Sequence, residues 1–256
     1  MYRFHQLLSA THSPHRALQE REPSPAMLAG VFMEACVALK LGFDPWLPDG
    51  VTMGAEEIAT YDVQAQRAAD HLRGENLVYQ PSFPWPHDTD VRAEGHPDFA
   101  VFPDFASGIE GHLIDLKTTE YPTEELLEKL LHSIQMCAYM AAYMRMYKRP
   151  PKLSIILASR LVEPEPVKFN KNGDVSLSDQ HADYASLQQA VELMGERADD
   201  RHWAMVYKAP VWNPVMIGTL EPEECAELAK IGAIFLDAGL AILDTGISDK
   251  VVRPYA

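Results

Sequence analysis

The chain is organised around residues Gly111–Thr119, which read GHLIDLKTT. Side chains alternate between the two faces of a β-strand, so Leu113, Asp115 and Lys117 share one face and the residues between them share the other. Charged groups are costly to bury unless they are paired or bind a metal. The segment therefore predicts a largely buried strand that presents a neighbouring acid and base, a pattern that in isolation also fits a salt-bridged strand end.

A second strand with its own acidic residue precedes this one. Pro97–Phe102 is apolar after its first two residues, and the Pro-Asp pair at 103 and 104 begins a predicted turn. The two strands then form an antiparallel hairpin with Asp98 on one arm and Asp115 on the other. Asp104 also follows a proline and could be the acidic residue that matters here. Because Asp is common in turns whatever its function, we choose Asp98 as the candidate functional residue of this hairpin.

An upstream helix carries a third acidic residue. Ser24 is a predicted N-cap, and the helix runs over Ala26–Leu41 and ends at Gly42. Glu34 is the acidic residue in the middle of this otherwise apolar helix, and Gly30 lies on the same face, where it could allow another backbone to approach closely. Taken without the rest of the chain, Glu34 fits a solvent-facing edge.

A downstream helix carries an amide and a phenol four residues apart. Pro122-Thr123 predicts the start of one long helix over Glu124–Tyr147. Gln135 and Tyr139 lie on one stripe of it, continued by Glu128 and His132. These polar groups either form the solvent side of the helix or point into a cleft.

The remaining predicted elements surround this core. They are a turn or helix start at Ser13-Pro14, helices over Glu56–Leu72, Asp183–Arg197 and Glu221–Leu243 (with Thr219 as a possible cap), and strands over Asn76–Gln80, Lys152–Ala158 and Val167–Phe169.

Composition excludes several classes of protein. With 256 residues and 47% hydrophobic residues, the chain can bury a full core and is most simply one domain. A net charge of −15 argues against a protein that coats nucleic acid, although a local groove could still bind phosphates. Three widely separated cysteines exclude a structural zinc site or a four-cysteine iron–sulfur cluster and fit a reducing, cytoplasmic compartment. No apolar run approaches the roughly 18 residues of a membrane span.

In their order and spacing, these residues resemble the PD-(D/E)XK nuclease superfamily. Pro97-Asp98 and Asp115-Leu116-Lys117 stand at its two signature positions, and the Gln-x-x-x-Tyr helix is characteristic of its RecB-like nucleases and their phage relatives. Residues 114–119 and 30–34 look most like the RecE (exonuclease VIII) and lambda-type recombination exonucleases. The resemblance covers roughly residues 26–147.

The resemblance implies an α/β fold, namely a restriction-endonuclease-like core with a mixed central β-sheet flanked by α-helices. We expect a single nuclease domain over residues 1–256, with its core at about 26–160 and a C-terminal helical elaboration at about 180–250.

The resemblance also implies a metal site. Asp98, Asp115 and the carbonyl of Leu116 would bind Mg²⁺, which Mn²⁺ could replace, and Glu34 would bind the same ion or a second one. Many RecB-like enzymes have a histidine at the position of Glu34, whereas an acidic residue is familiar in the lambda-type branch.

The other site residues would act on the attacking water and the phosphate. By the same resemblance, Lys117 would orient or help to deprotonate the water and stabilise the developing anion. Gln135 and Tyr139 would position the water, Lys117 or the scissile phosphate. His96 and His112 flank the site, and we interpret both as structural histidines.

The implied activity is that of a Mg²⁺-dependent DNA exonuclease, 5′ to 3′ on double-stranded ends, in recombination or repair. The resemblance further implies a homo-oligomer, a single-strand annealing protein as partner, and the cytoplasm of a bacterial or phage-infected cell. Two alternatives stay open. The first is another nuclease of the superfamily, such as an endonuclease or a CRISPR-associated RecB-like enzyme, and the second is a non-catalytic DNA- or protein-binding module. The absence of a cysteine quartet argues against a CRISPR-associated enzyme, and the intact acid–acid–lysine set argues against a non-catalytic module.

Overall fold

The computed structural model describes residues 2–11, 24–86, 91–104, 106–161, 163–178 and 180–244. The predicted start at Ser13-Pro14 and the end of the predicted C-terminal elaboration, beyond residue 244, lie outside these ranges. The elements, in chain order, are β1 (Tyr2–Arg3), α1 (Phe4–Ala10), α2 (Pro25–Lys40), α3 (Ala55–Leu72), β2 (Leu77–Tyr79), β3 (Phe83–Trp85), β4 (Ala93–Gly95), β5 (Phe99–Val101), β6 (His112–Thr119), α4 (Glu124–Leu131), α5 (Ile134–Tyr147), β7 (Lys152–Ser159), α6 (Tyr184–Met194), a 3-10 turn (Gly195–Arg197), α7 (Asp200–Val206), β8 (Val215–Leu220) and α8 (Pro222–Asp244).

A mixed five-stranded sheet forms the centre of the molecule, in the order β2-β5-β6-β7-β8. The β5–β6 pair is the predicted antiparallel hairpin. The β6–β7 pair is parallel, and parallel neighbours need a crossover connection, which α4 and α5 provide here. The last pair, β7–β8, is antiparallel.

Helices cover both faces of this sheet. Leu113, Ile155 and Leu157 pack into a core with α1, α4, α5 and α8 on one face. Ile114 and Ile156 pack against α2 and α3 on the other. Because helices cover both faces, most side chains of β6 and β7 are buried, including those of the polar residues His112, Asp115 and Ser154. The predicted α/β fold with a mixed sheet flanked by helices is confirmed.

A small second sheet carries the amino-terminal segment to the side of the core. Its strand order is β1-β4-β3, with β1 parallel to β4. The short helix α1 packs on α8, where an added Cβ at Gly239 would lie 2.5 Å from the carbonyl oxygen of Leu7. This packing fixes the residues just before α1 beside the central sheet.

The predicted start of α2 is confirmed. The Ser24 side chain accepts a hydrogen bond from the Met27 backbone N–H, and Pro25 occupies the first helical position. The helix ends at Lys40, followed by Gly42 with a φ of +87°, a conformation that glycine adopts at no steric cost.

The prediction of one long helix over 124–147 is wrong. The segment forms two helices, because the Ser133 side chain accepts a hydrogen bond from the Met136 N–H and so caps a new helix, α5. His132 is the residue that ends α4. Glu128 and His132 therefore do not continue the stripe of Gln135 and Tyr139.

Three further predictions differ from the structure. Thr219 is not a helix cap: it lies in β8, an edge strand that the sequence did not indicate, and α8 begins at Pro222. Residues Val167–Phe169 form no strand, only an isolated bridge between Phe169 and Val175. Helix α7 was not predicted, and its seven residues are too few for a clear helical period.

None of the helices in the described ranges combines the length and the apolar character that crossing a bilayer requires.

Candidate active site

The hairpin brings the two predicted aspartates together. The register that pairs Phe99 with Ile114 places Asp98, one residue earlier, beside Asp115, one residue later. The backbone N–H of Leu116 donates a hydrogen bond of 2.5 Å to Asp98 Oδ2. The pairing of β5 with β6 therefore places the two carboxylates next to each other.

The rival Asp104 belongs to the turn, as expected. Its carboxylate accepts a hydrogen bond of 3.0 Å from the Ala106 N–H and another from the Ser107 hydroxyl. These local bonds stabilise the turn between β5 and β6, and Asp104 does not line the cleft that contains Asp98.

Glu34 reaches the two aspartates from α2. Its Oε1 accepts a hydrogen bond of 2.6 Å from Gln80 Nε2, and its carboxyl group shares hydrogen bonds with Asp98 and with the Tyr79 hydroxyl. The alternative of a solvent-facing Glu34 therefore does not describe this structure. Residues at the end of β2, Tyr79 and Gln80, hold the carboxylate in place.

Burial and repulsion between carboxylates raise the pKa of Asp98 and that of Glu34. The pKa of Asp98 is raised well above its usual range, first by burial and then by repulsion from Glu34 and Asp115. Burial also raises the pKa of Glu34, and the charge of Asp115 adds to the effect. The site thus concentrates more negative charge than its own side chains neutralise.

Lys117 is the cation within this cluster. Its Nζ contacts Oδ2 of Asp115, a carboxylate that is itself buried. Burial acts to lower the pKa of Lys117, but Asp115, Asp98 and Glu34 together outweigh burial, and the pKa is raised. Lys117 is therefore held as an ammonium beside the acids.

Gln135 and Tyr139 lie in the same cleft, on α5. Gln135 Nε2 donates a hydrogen bond of 3.1 Å to Tyr139 Oη, which donates in turn to the carbonyl oxygen of His96 at 3.0 Å. Burial raises the pKa of Tyr139 well above its usual range, so the phenol remains a neutral donor. Of the two interpretations left open by the sequence, the cleft is the one that the structure supports.

The two flanking histidines differ in their surroundings. The buried His112 lies between Glu75 and Ser154, at 3.1 and 2.9 Å, and Ser154 continues the chain of hydrogen bonds to Thr219 across β6, β7 and β8. His96 instead lines the cleft, with Nε2 3.5 Å from Oε1 of Glu94.

The cleft has a volume of about 650 Å³. The predicted site residues that line it are Glu34, Asp98, Asp115, Lys117, Gln135 and Tyr139, and the lining residues that sequence analysis did not single out as site residues are Arg3, Phe4, His5, Trp46, Gln80, Glu94, Gly95 and His96.

The chemistry of this cleft fits a hard divalent cation. Its donors are three carboxylates, which such ions prefer, and they carry unneutralised negative charge. Within the described ranges, however, no three acidic, histidine or cysteine side chains are arranged as a ready-made metal cage. A bound ion would therefore have to draw Glu34, Asp98 and Asp115 closer around it.

Gln80 is a residue of the site that carried no signal in the sequence. Its φ of +44° lies in the left-handed region, which costs a residue other than glycine about 1–3 kcal/mol. The strained backbone places its amide on Glu34. The residue precedes Pro81, which biases it toward extended backbone, so local reasoning would have predicted the opposite conformation.

Of three comparisons with known proteins, the one with protein families agrees with this geometry. The family model of the PD-(D/E)XK nuclease superfamily matches residues 2–209, well beyond the region of the resemblance. The crystal structure of SSO0001 covers 97% of this chain, and 94% of its own, at 10% identity and a TM-score of 0.30, a value too low to support an argument. No curated protein matches the chain significantly. On the family match, this chain belongs to the PD-(D/E)XK nuclease superfamily.

Proposed function

We propose that this protein is a Mg²⁺-dependent DNA exonuclease that hydrolyses phosphodiester bonds at the ends of double-stranded DNA. The observation that carries the proposal is the convergence of Glu34, Asp98 and Asp115 with Lys117 in one cleft. Members of the superfamily are generally nucleases, and this set of residues suits phosphodiester hydrolysis. A scaffold that only bound DNA would gain nothing from three carboxylates, which repel phosphates.

The metal ligands in this proposal are Asp98, Asp115, Glu34 and the carbonyl oxygen of Leu116. A bound Mg²⁺, or Mn²⁺ in its place, supplies a water with a lowered pKa and neutralises charge on the phosphate. Asp98 is already oriented by the Leu116 N–H, and Glu34 by Gln80. These hydrogen bonds reduce the rearrangement that metal binding requires.

The other three residues act on the phosphate and the water. Lys117, with its raised pKa, serves as a fixed positive charge that stabilises the anion developing on the phosphate. Tyr139 and Gln135, which are hydrogen-bonded to each other, orient the water or the scissile phosphate. The raised pKa of Lys117 favours charge stabilisation over proton abstraction as its role.

The finer assignment rests on the RecB-like and lambda-type resemblance. The Gln135 and Tyr139 helix and the acid at position 34 support a recombination exonuclease that cuts 5′ to 3′. A single-strand annealing protein is then the proposed partner, and a homo-oligomer the proposed assembly. A monomer mass by light scattering would contradict the assembly.

The test is degradation of linear duplex DNA labelled at either the 5′ or the 3′ end, with Mg²⁺, with EDTA and with Lys117→Ala. We expect metal-dependent loss that disappears in the variant, and release of the 5′ label first. Lys129→Ala is the matched control, because Lys129 forms an exposed ion pair with Glu125 and should retain full activity. DNA left intact by the wild type with either Mg²⁺ or Mn²⁺ would refute the enzyme, and digestion of a covalently closed circle would show an endonuclease.

A further inference from the structure

Trp46 is an exposed tryptophan at the edge of the acidic cleft. It lines the cleft that holds Asp98 and Lys117, yet its side chain is 51% exposed. The other three tryptophans are buried or half-buried (Trp85, Trp203 and Trp212). About half of this large aromatic side chain is therefore open to water beside the cleft.

The backbone of Trp46 is anchored even though its ring is open. Its N–H donates a hydrogen bond of 3.2 Å to Tyr79 Oη, and the Tyr79 hydroxyl also bonds Glu34. Under this loop, the ring of Phe43 packs 5.7 Å from Tyr79 and 6.0 Å from Phe99. The loop is therefore positioned relative to the carboxylates, and the backbone of Trp46 is held at the edge of the cleft.

A cation from another element lines the same cleft. Arg3, in β1, pairs with Glu94 at 3.0 Å while its side chain stays 52% exposed. An aromatic surface combined with positive charge is the arrangement that binds single-stranded nucleic acid, since bases stack on the ring and phosphates follow the charge. The cleft also falls in the range of about 300–1,000 Å³ that takes one drug-sized ligand, which suits a nucleotide or two and not a duplex.

We propose that Trp46 is a substrate-positioning residue that stacks on a nucleobase next to the scissile phosphate, so that the strand being cut enters the cleft unpaired. Inside a duplex, both faces of a base are covered by its neighbours, so only an unpaired or terminal base offers a face to Trp46. The inference rests on the proposed nuclease function and adds the form in which DNA is bound: a single-stranded end, produced by fraying or by partial digestion.

The first experiment combines Trp46→Ala with single-stranded oligodeoxynucleotides that carry one abasic site at successive positions. On the intact oligonucleotide, Trp46→Ala should raise KM about 5- to 150-fold, the range that loss of one stacked base predicts, with little change in kcat. At one abasic position the wild type should lose the same factor, and the substitution should then have no further effect. Trp46→Phe should retain most of the affinity.

Tyr207→Ala is the control for this series, because Tyr207 is an exposed aromatic residue that does not line the cleft. It should leave KM unchanged. If Trp46→Ala reduces cleavage by the same factor on the intact oligonucleotide and at every abasic position, the stacking proposal is overturned, since the effect does not depend on a base.

A second measurement separates this proposal from the nuclease assignment. Tryptophan fluorescence is titrated with a single-stranded oligodeoxynucleotide in Ca²⁺, without any requirement for cleavage. We expect quenching in the wild type and its loss in Trp46→Phe. Quenching by a wild type that cuts no DNA would retain the stacking residue and reject the nuclease; cleavage without quenching would reject the stacking residue and retain the nuclease.

Discussion

The Asp98 carboxylate lies beside those of Glu34 and Asp115, and its pKa is raised, first by burial and then by these two charges. For an acid whose pKa is higher in the folded than in the unfolded state, the contribution to stability is greatest below the unfolded pKa. That contribution is lost as the pH rises through the folded pKa. Without a metal ion, ionisation of Asp98 therefore costs stability as the pH rises toward neutral.

Asp98→Asn tests this conflict between stability and activity. The amide can still accept the hydrogen bond from Leu116 and can donate one to Glu34, while it removes one charge. In EDTA we expect the unfolding temperature of the variant to equal or exceed that of the wild type. In a domain of this size, each kcal/mol of added stability raises that temperature by about 2–4 °C. Cleavage should fall about 100-fold or more.

Divalent metal provides the complementary measurement for the same variant. A ligand that binds only the native state raises the unfolding temperature, so Mg²⁺ or Mn²⁺ should stabilise the wild type and have a smaller effect on Asp98→Asn. Thermal unfolding with and without metal measures both. Equal stabilisation of the two proteins would contradict the assignment of Asp98 as a ligand.

Helices α5 and α8 approach each other closely. A Cβ added at Gly232 of α8 would lie 2.0 Å from the carbonyl oxygen of Cys137 in α5. Only glycine permits such an approach between two helix backbones. The contact matters for the site, because α5 carries Gln135 and Tyr139.

Gly232→Ala should destabilise the protein by about 1–3 kcal/mol or more, as overpacking does, despite the better helix propensity of alanine. Gly30→Ala in α2 is the matched control, because its Cβ would meet Thr118 Oγ1 at 3.5 Å, an ordinary contact. That substitution should be neutral or stabilising by up to about 1 kcal/mol. Urea unfolding of both variants measures the difference, and an unchanged midpoint for Gly232→Ala would contradict the described packing.

The charge of the whole molecule is unusual for a protein that binds DNA. The chain carries a net charge of −15, and the cleft adds three carboxylates that repel phosphates. The lysine and arginine side chains that line the cleft are those of Arg3 and Lys117. Affinity for DNA should therefore come from the metal ion, a few local contacts and base stacking, and not from a broad basic surface.

The salt dependence of DNA binding follows from this charge distribution. Each neutralised phosphate contributes about −0.9 to the slope of log K against log salt for duplex DNA and about −0.7 for a single strand, so the slope should be no steeper than about −3. Binding of a labelled oligonucleotide in Ca²⁺ across a range of salt concentrations measures it. A slope of about −6 or steeper would reveal an extensive basic surface and contradict this prediction.

Local pattern was sufficient for the elements that carry most of the predicted site. The period of two in β6 put Asp115 and Lys117 on one face, and Ser24 marked the start of α2. The hairpin pattern paired the two aspartates, since its two strands are neighbours in the chain. The order of these motifs then indicated the superfamily, which the family match confirms.

Contacts between distant segments could not be read in this way. Arg3, Trp46 and Gln80 come from three separate segments, and each reaches the cleft through packing or strain that leaves no local period. The edge strand β8 exists because β7 offers it an edge to pair with, and Ser133 divides a helix that the apolar pattern alone would continue. Periodicity reports which face of an element is buried, but the partner that buries it is chosen only when the whole chain folds.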